Sequence, residues 1–299
     1  MAKEKVVKQE EVSSPPTGFQ VVWREFKKDK VAFISLFGLI VLIIGIFITA
    51  ALLNQKEIMT INLSGMYAPP GPEYWLGGDV GGRDIFGQLI IGAKNSIVIA
   101  IIITLISGGF GILVGLVCGY FGGIIDNIFM RIIDFFITIP QLMIIIVFVT
   151  MIPKYDVYTF IAIFCIFMWP STARLVRSKA LSESRRDYVS ASKTLGTNDF
   201  IIIIKEIMPN LSSILIVELT LAFAGNVGIE TGLSYLGFGL PPSTPSLGTL
   251  VSFADNPLVL STYWWVWLPA SILILILMLG INYVGQALRR AADARQRLG

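Results

Sequence analysis

Long apolar segments alternate with polar connections along the chain of 299 residues. A helix needs about 20 apolar residues to cross a bilayer. Of six apolar windows in chain order, the fourth, residues 157–173, is close to this lower limit, and the fifth, residues 207–229, is interrupted by Glu218. The four clearest windows carry no charged residue and reach or approach that length: 31–55, 95–125, 135–153 and 256–288. The pattern predicts an all-α, polytopic membrane protein with six transmembrane helices.

The distribution of Lys and Arg predicts the orientation of these helices, because cytoplasmic loops carry an excess of basic residues. Basic residues cluster before the first window, in the connection 174–210 and after the last window. The alternate connections carry only Lys56, Arg83, Lys94 and Lys154. Both termini and the 174–210 loop are therefore expected to be cytoplasmic. An even number of crossings must separate that loop from the C-terminal tail, so the window with Glu218 is expected to cross as well.

Composition narrows the class of protein. Hydrophobic residues make up 55% of the chain and charged residues 14%, a balance typical of membrane proteins. The absence of histidine argues against a zinc site, imidazole catalysis and haem ligation. Cys118 and Cys165 lie in apolar windows and are expected to be small core residues. No cleavable signal peptide is expected, because the polar start is long and a full-length span follows it.

These patterns predict five segments along the chain. The first is a cytoplasmic tail, 1–30, with a disordered start and an interfacial helix over 18–30. A first transmembrane helix (31–53) and an extracytoplasmic segment (54–90) follow. Next comes a core of five transmembrane helices (91–288), which includes the 174–210 loop, and the chain ends in a basic cytoplasmic tail (289–299).

Small residues recur every four positions in the second window, at Gly111, Gly115, Gly119 and Gly123. Such residues share a helical face and let another backbone approach closely. Packing inside the bundle is the favoured interpretation, and a contact between subunits is the alternative. A tight turn at Gly122-Gly123 is expected to end this helix.

Two features mark the start of the third window. Arg131 and Asp134 stand three residues apart, so they are expected to pair on one face of a helix. Pro140 is expected to kink the same helix.

The loop between the fourth and fifth windows contains a short helical pattern. Tyr188, Ala191, Ser192 and Leu195 recur at i, i+3, i+4 and i+7, and Gly196 supplies a C-terminal stop. Asn198 or Asp199 is expected to cap the helix that follows. The small side chains of this face leave room for a partner surface. From spacing alone, docking of a partner and packing against the chain's own bundle remain equally open.

The same loop resembles the "EAA" loop of ATP-binding-cassette importer permeases. The resemblance rests on Tyr188-Val189-Ser190-Ala191-Ser192 with Gly196, followed by Ile207-Met208-Pro209-Asn210. Four other stretches occur in the family's order, and together they resemble the C-type permease of oligopeptide, dipeptide and nickel importers. They are Leu76-Gly77-Gly78-Asp79 with Arg83-Asp84; Asp126 with Met130-Arg131, Asp134 and Ile139-Pro140; Trp169 with Ala173-Arg174 and Arg177; and Glu230 with Leu233-Ser234-Tyr235-Leu236-Gly237, Pro242, Pro245-Ser246 and Gly248.

Three positions depart from the family's pattern. The Glu of the family's EAA triplet is Ser190 in this chain, and the second Ala is Ser192. A position that is often basic in the family is Glu206. Gly196 is retained, so the helix-glycine-helix shape is still expected.

The resemblance implies a subunit of a bacterial cell-membrane importer with the type I permease fold. Its partners would be a second, B-type permease, two P-loop ATPases and an extracytoplasmic solute-binding protein, all within membrane lipid and without nucleic acid. The chain has no Gly-x-x-x-x-Gly-Lys-Ser/Thr sequence, so ATP and Mg²⁺ would be bound by the partner ATPases and this chain would hold no cofactor or metal and would not be an enzyme. The helix at 188–196 would couple ATPase closure to alternating access.

Glu218, Asn226 and Glu230 interrupt the fifth window and are candidates for the translocation path. Polar residues within a membrane usually face protein or a water-filled cavity. The alternative is a hydrogen-bonded contact with another helix or with the partner permease. On the extracytoplasmic side, residues 69–84 and 239–257 are expected to receive the binding protein, and Trp264, Trp265 and Trp267 to form an aromatic belt.

Two other classes of function compete with the importer. A proton-coupled secondary transporter would use Glu218 and Glu230, but it would not need the helix-glycine-helix loop. A membrane enzyme is disfavoured, because the sequence has no histidine and no cluster of a nucleophile with a base. Oligopeptides and dipeptides are the expected solutes of the importer.

Overall fold

The computed structural model describes residues 23–24, 26–153, 156–241 and 244–296, and these residues form helices joined by turns. The start of the N-terminal tail, part of the expected interfacial helix, Pro242 and the last three residues lie outside this set. The α-helices are α1 (Lys30–Leu52), α2 (Gln55–Ile58), α3 (Ile85–Phe121), α4 (Gly123–Thr138), α5 (Gln141–Met151), α6 (Val157–Glu183), α7 (Asp187–Thr194), α8 (Asp199–Ile202), α9 (Met208–Tyr235), α10 (Leu247–Ser252), α11 (Pro257–Thr262) and α12 (Leu268–Gln296).

The all-α, polytopic prediction is confirmed. Five helical segments of the described chain are long and apolar enough to cross a membrane: Lys30–Leu52, Ile85–Phe121, Val157–Glu183, Asp199–Tyr235 and Leu268–Ala292. A sixth crossing is present if α4 and α5 are counted as one span. These two helices meet at an angle of 83°. Pro140 lies at the break as the N-cap of α5, so the predicted kink is present as a sharp break in the helix.

Helix α3 lies at the centre of the bundle and packs along α6 and α9. Its contact with α6 depends on the predicted row of glycines. A Cβ atom built on Gly111 or Gly115 would lie 2.7 Å from a backbone oxygen of α6, and one on Gly119 would lie 2.6 Å from the Ala180 Cβ. The favoured interpretation, packing inside the bundle, is therefore confirmed for these three. Gly123 lies beyond the helix, and the turn at Gly122 and Gly123 has positive φ at both residues.

Two ion pairs join α4 to α6, which run antiparallel. Arg177 donates to Asp126 through Nε, with 2.8 Å to Oδ1, and through Nη2. Arg174 donates to Asp134. The predicted pair of Asp134 with Arg131 on one helix face is therefore wrong, because Asp134 is taken by a cation on the facing helix. Helix α6 also continues to Glu183, ten residues past the fourth apolar window.

The remaining helices complete a ring. Helix α9 packs on α12, α12 on α1, and α1 on α3. Arg290, near the end of α12, donates to Asp29 at the start of α1, with 3.0 Å between Nη2 and Oδ2. Phe26, in the described part of the segment before α1, is buried against the same core. The start of α1 and the end of α12 therefore lie together.

The segment 239–257 folds back into the bundle. Its short helix α10 packs against α3, α9 and α12, with Ser246 fully buried at its N-terminus. Ser246 and Thr249 form a reciprocal capping box. Asn95 donates to the Pro245 carbonyl at 2.9 Å, which ties the segment to α3. Of the three tryptophans expected in an aromatic belt, Trp264 is half exposed, whereas Trp265 and Trp267 pack against the core.

The candidate coupling helix and intramembrane polar residues

Helix α7 is held at one end of the bundle by a single buried side chain. Val189 is fully buried in a cluster with Leu116 and Tyr120 of α3, with Val176 and Ala180 of α6, and with the start of the spanning segment Asp199–Tyr235, which is called the fifth span below. The end of the bundle that carries residues 187–210 is called the loop end below. Since α3 spans 37 residues, its other terminus at Ile85 lies about 55 Å away. One face of α7 therefore packs on its own bundle, which was one of the two open alternatives.

Gly196 ends α7 in the predicted way. Its φ is +80°, in the left-handed region that favours glycine. The Gly196 amide donates to the Lys193 carbonyl at 3.0 Å, and the Thr197 amide donates to the Ser192 carbonyl at 3.1 Å. This pair of bonds is a Schellman motif. Asn198 then caps α8 by accepting from the Phe200 amide at 2.9 Å, so the predicted helix-glycine-helix shape is confirmed.

The face of α7 predicted from spacing lines an open groove of about 500 Å³. The groove exposes Leu195, whose relative accessibility is 85%. Its opposite wall comes from the segment that begins the fifth span, a contribution that spacing within α7 did not reveal. The lining residues are Tyr188, Ala191, Ser192 and Leu195 on one side and Lys205, Glu206, Pro209 and Asn210 on the other.

A π-helical turn, Ile203–Ile207, forms part of that opposite wall. Pro209 has no amide hydrogen to donate to a carbonyl four residues earlier, so the α-helical ladder is interrupted immediately before α9. The side chains of Lys205 and Glu206 from this turn line the groove. The turn thereby places one cation and one anion opposite α7.

Two hydrogen bonds engage side chains of α7 that line the groove. Ser192 Oγ donates to Glu206 Oε1 at 2.5 Å. Tyr188 OH donates to Glu183 Oε1 at 3.1 Å. Burial raises the pKa of Tyr188 to about 12, with the nearby charge of Glu183 acting in the same direction. The tyrosine therefore remains a neutral donor at physiological pH.

A second chain of polar contacts joins α7 to the end of α3. Tyr120 OH donates to Asp199 Oδ1 at 2.5 Å. The Lys193 ammonium lies 4.3 Å from the centroid of the Tyr120 ring, within the range of a cation–π interaction. These contacts span distant parts of the sequence, and only the single tyrosine at the end of an apolar helix could have indicated them.

The three intramembrane polar residues occupy different surroundings. Glu218 accepts from Thr172 Oγ1 at 3.1 Å and lines a cavity of about 110 Å³ together with Lys179 and Arg289. Asn226 is buried and donates to Thr104 Oγ1 at 2.9 Å.

Glu230 is fully buried and accepts from Ser234 Oγ at 2.8 Å. Asn226 therefore makes a contact with another helix, which was the alternative to a path lining, whereas the bond of Glu230 to Ser234 stays within α9. Of the three residues, Glu218 is the one that lines a cavity. A role of these residues in translocation remains a prediction.

Comparisons with known proteins agree with this architecture. A family model described as "Binding-protein-dependent transport system inner membrane component" matches residues 111–298. A second model, "N-terminal TM domain of oligopeptide transport permease C", matches residues 17–70.

Among curated relatives, the oligopeptide transport system permease protein OppC of Lactococcus lactis subsp. cremoris is 50% identical over 273 residues, which cover 91% of this chain and 93% of the relative. OppC of Mycobacterium tuberculosis is 34% identical over 93% of this chain and 94% of its own length. The dipeptide transport system permease protein DppC of Haemophilus influenzae is 35% identical over 94% and 96%. The chain therefore belongs to the membrane permease subunits of binding-protein-dependent ABC importers, as a member of the C-type branch of oligopeptide and dipeptide permeases.

Proposed function

We propose that the chain is the C-type half of the pore of an ATP-driven importer for oligopeptides or dipeptides. The printed names of the relatives, five OppC and DppC proteins from four bacterial species among them, support the peptide class. Membership of the family favours an importer over the proton-coupled secondary transporter. The observation that carries the proposal is the open groove between α7 and the π-helical turn, which exposes apolar and small side chains at the loop end.

The groove is proposed to receive one of two partner P-loop ATPases, which bind ATP and Mg²⁺. The excess of Lys and Arg near the loop end supports a cytoplasmic position for that end and for both termini. The B-type permease completes the pore, and an extracytoplasmic binding protein delivers the solute to the opposite end. ATP-driven closure of the ATPases then moves α7, and the contacts of Val189 and Lys193 carry that movement to α3 and α6.

Substitution of Gly196 tests the coupling role. Gly196→Arg adds bulk and charge next to Leu195, which lines the groove, and is expected to abolish ATP-dependent peptide uptake in proteoliposomes. Gly196→Ala imposes only the strain of a β-carbon at positive φ, about 1 kcal/mol, and is expected to retain most of the uptake. Membrane insertion and co-purification of the B-type permease should be unchanged in both variants. Undiminished uptake by Gly196→Arg would remove the loop from the coupling role.

Co-purification tests the assembly itself. The tagged chain, extracted in mild detergent from native membranes, is expected to bring with it a second permease, a P-loop ATPase and a binding protein. Recovery of the chain alone, under conditions that keep known complexes intact, would contradict the proposal and favour the alternative that the chain is a proton-coupled secondary transporter.

A further inference from the structure

A cavity of about 280 Å³, lined by both polar and apolar residues, opens at the end of the bundle opposite the loop end. It lies between the N-terminus of α3, the C-terminus of α9 and the re-entrant helix α10. Arg83 is the one charged side chain among the described residues that line it. The lining residues are Met59, Arg83, Gln88, Ser234, Gly237, Leu240, Pro245, Thr249, Ser252 and Phe253.

The Arg83 guanidinium is held in place by a buried carboxylate. Asp79 is fully buried, and its Oδ2 accepts from Arg83 Nε at 2.8 Å and from Gln88 Nε2 at 3.0 Å. Its Oδ1 accepts from the amides of Gly81 at 2.7 Å and Arg83 at 2.9 Å. Four donors therefore satisfy the Asp79 carboxylate, and its contact with the guanidinium uses only the Nε position.

Among the described residues, no hydrogen bond or ion pair engages the Nη groups of Arg83, and the Arg83 side chain lines the cavity. A guanidinium whose Nε is fixed presents its remaining N–H donors in a planar fork, the geometry that binds a carboxylate through two parallel hydrogen bonds. Since Asp79 already fixes the side chain, little rotamer entropy would be lost when a second anion binds. The Arg83 side chain is only 19% exposed, so the anion must enter the recess to reach it.

We propose that this cavity is a carboxylate-binding site that receives the C-terminal carboxylate of the transported peptide as it enters the permease. The inference rests on the proposed peptide importer. The volume equals that of roughly nine water molecules in the liquid, which is room for one terminal residue. Met59, Leu240 and Phe253 offer apolar surface to the side chain of that residue.

The recess favours a chain end over an acidic side chain on the surface of a folded partner. A binding protein that docks on this end would meet the exposed surface of the 54–84 segment before it met Arg83. A peptide terminus is slender enough to enter the recess that the Arg83 side chain lines. The carboxylate of the solute is therefore the anion that the geometry accommodates.

The test compares uptake of radiolabelled Ala-Ala-Ala with uptake of its C-terminal amide by the complete transporter in proteoliposomes. Ser252 is half-buried and lines the cavity without touching the Arg83–Asp79 pair. Ser252→Asp adds a competing carboxylate to the cavity that Arg83 also lines and is expected to lower the free-acid to amide uptake ratio about tenfold, the effect of losing one charge-assisted hydrogen bond. The isosteric Ser252→Asn is expected to leave the ratio unchanged.

Arg83→Gln provides the second arm, with Lys56→Gln as a control at an exposed cation of the same segment. Arg83→Gln is expected to lower the ratio like Ser252→Asp, and Lys56→Gln to preserve it. A ratio that stays at the wild-type value in Ser252→Asp overturns the carboxylate site, even where Arg83→Gln loses all uptake through misfolding. A wild-type transporter that imports neither peptide with ATP would overturn the proposed function itself, so the two failures are distinct.

Discussion

Ser192 donates a hydrogen bond to Glu206 from one wall of the groove to the other, with 2.5 Å between Oγ and Oε1. Both residues occupy positions where the chain departs from the pattern of its family, a serine in place of alanine and an acid in place of a basic residue. The structure places the two departures against each other. The hydroxyl group of Ser192 donates to the carboxylate of Glu206, so each unusual side chain supplies the hydrogen-bond partner of the other.

This contact predicts a non-additive pair of mutants. Ser192→Ala and Glu206→Gln are each expected to lower the free energy of unfolding by about 1 kcal/mol, the typical net contribution of a partly exposed hydrogen bond. The double variant should lose little more than either single one. Thermal unfolding of the purified chain in detergent measures all three. Fully additive losses would show that the two side chains act independently.

The ion pair of Asp126 with Arg177 predicts a large loss of stability when one partner is removed. Asp126 is buried, and the Arg177 side chain is 29% exposed. Asp126→Asn leaves the guanidinium without its anion and is expected to cost about 3 kcal/mol, measured by thermal unfolding in detergent.

The pair of Asp134 with Arg174 supplies the matched control, because both of its side chains are about half exposed. Asp134→Asn is expected to cost less than about 1 kcal/mol. Equal losses from the two Asp→Asn variants would contradict the larger contribution to stability expected of the buried pair of Asp126 with Arg177.

Close packing of α3 on α6 predicts opposite effects for two glycines of one helix. Gly115→Ala places a Cβ 2.7 Å from both the Ala173 oxygen and the Val176 Cβ, and overpacking of this kind costs about 1–3 kcal/mol. Gly109→Ala meets no atom within 4 Å and is expected to stabilise the helix by up to about 1 kcal/mol. The thermal unfolding midpoints of the two variants, compared with that of the wild type, measure both effects. A tolerated Gly115→Ala would mean that the contact between these helices is looser than described.

The cavity at Glu218 predicts charge selectivity if it belongs to the translocation path. Glu218→Gln removes the negative charge and is expected to shift uptake by about tenfold from Lys-containing towards Glu-containing tripeptides. Thr172→Val removes only the hydrogen bond to Glu218 and should leave this preference in place. If Glu218→Gln leaves the uptake rates and the preference between the two tripeptides unchanged, the hypothesis that Glu218 lines the translocation path is wrong.

Local signals predicted much of the fold. The break at Pro140, the stop at Gly196 and the row of Gly111, Gly115 and Gly119 depend on the conformation or size of single residues, so each was visible in the sequence. The apolar windows found the spanning segments but misplaced some ends. Helix α3 begins ten residues before its window because Asp84 caps it, accepting from the Phe86 and Gly87 amides.

The rest depended on contacts between distant segments. Spacing identified one wall of the groove, whereas Lys205, Glu206 and the π-helical turn come from a part of the chain with its own pattern. The partner of Asp134 lies 40 residues away on another helix, so a search at helical spacing found Arg131 instead. Arg83 attracted attention only as part of a motif, because its buried fixation by Asp79 and the cavity beside it arise from tertiary packing.

Helix α3 runs without a break from Ile85 to Phe121. Beside its first residues lies the Arg83 cavity, and near its last residue Tyr120 contacts Lys193 and Asp199. A rod of about 55 Å behaves as a lever: a tilt of about 5° about one end displaces the other by about 5 Å. A small push delivered at the loop end is therefore geometrically large enough to widen or close the opposite entrance by the width of a peptide backbone, with no change in the internal structure of the helix.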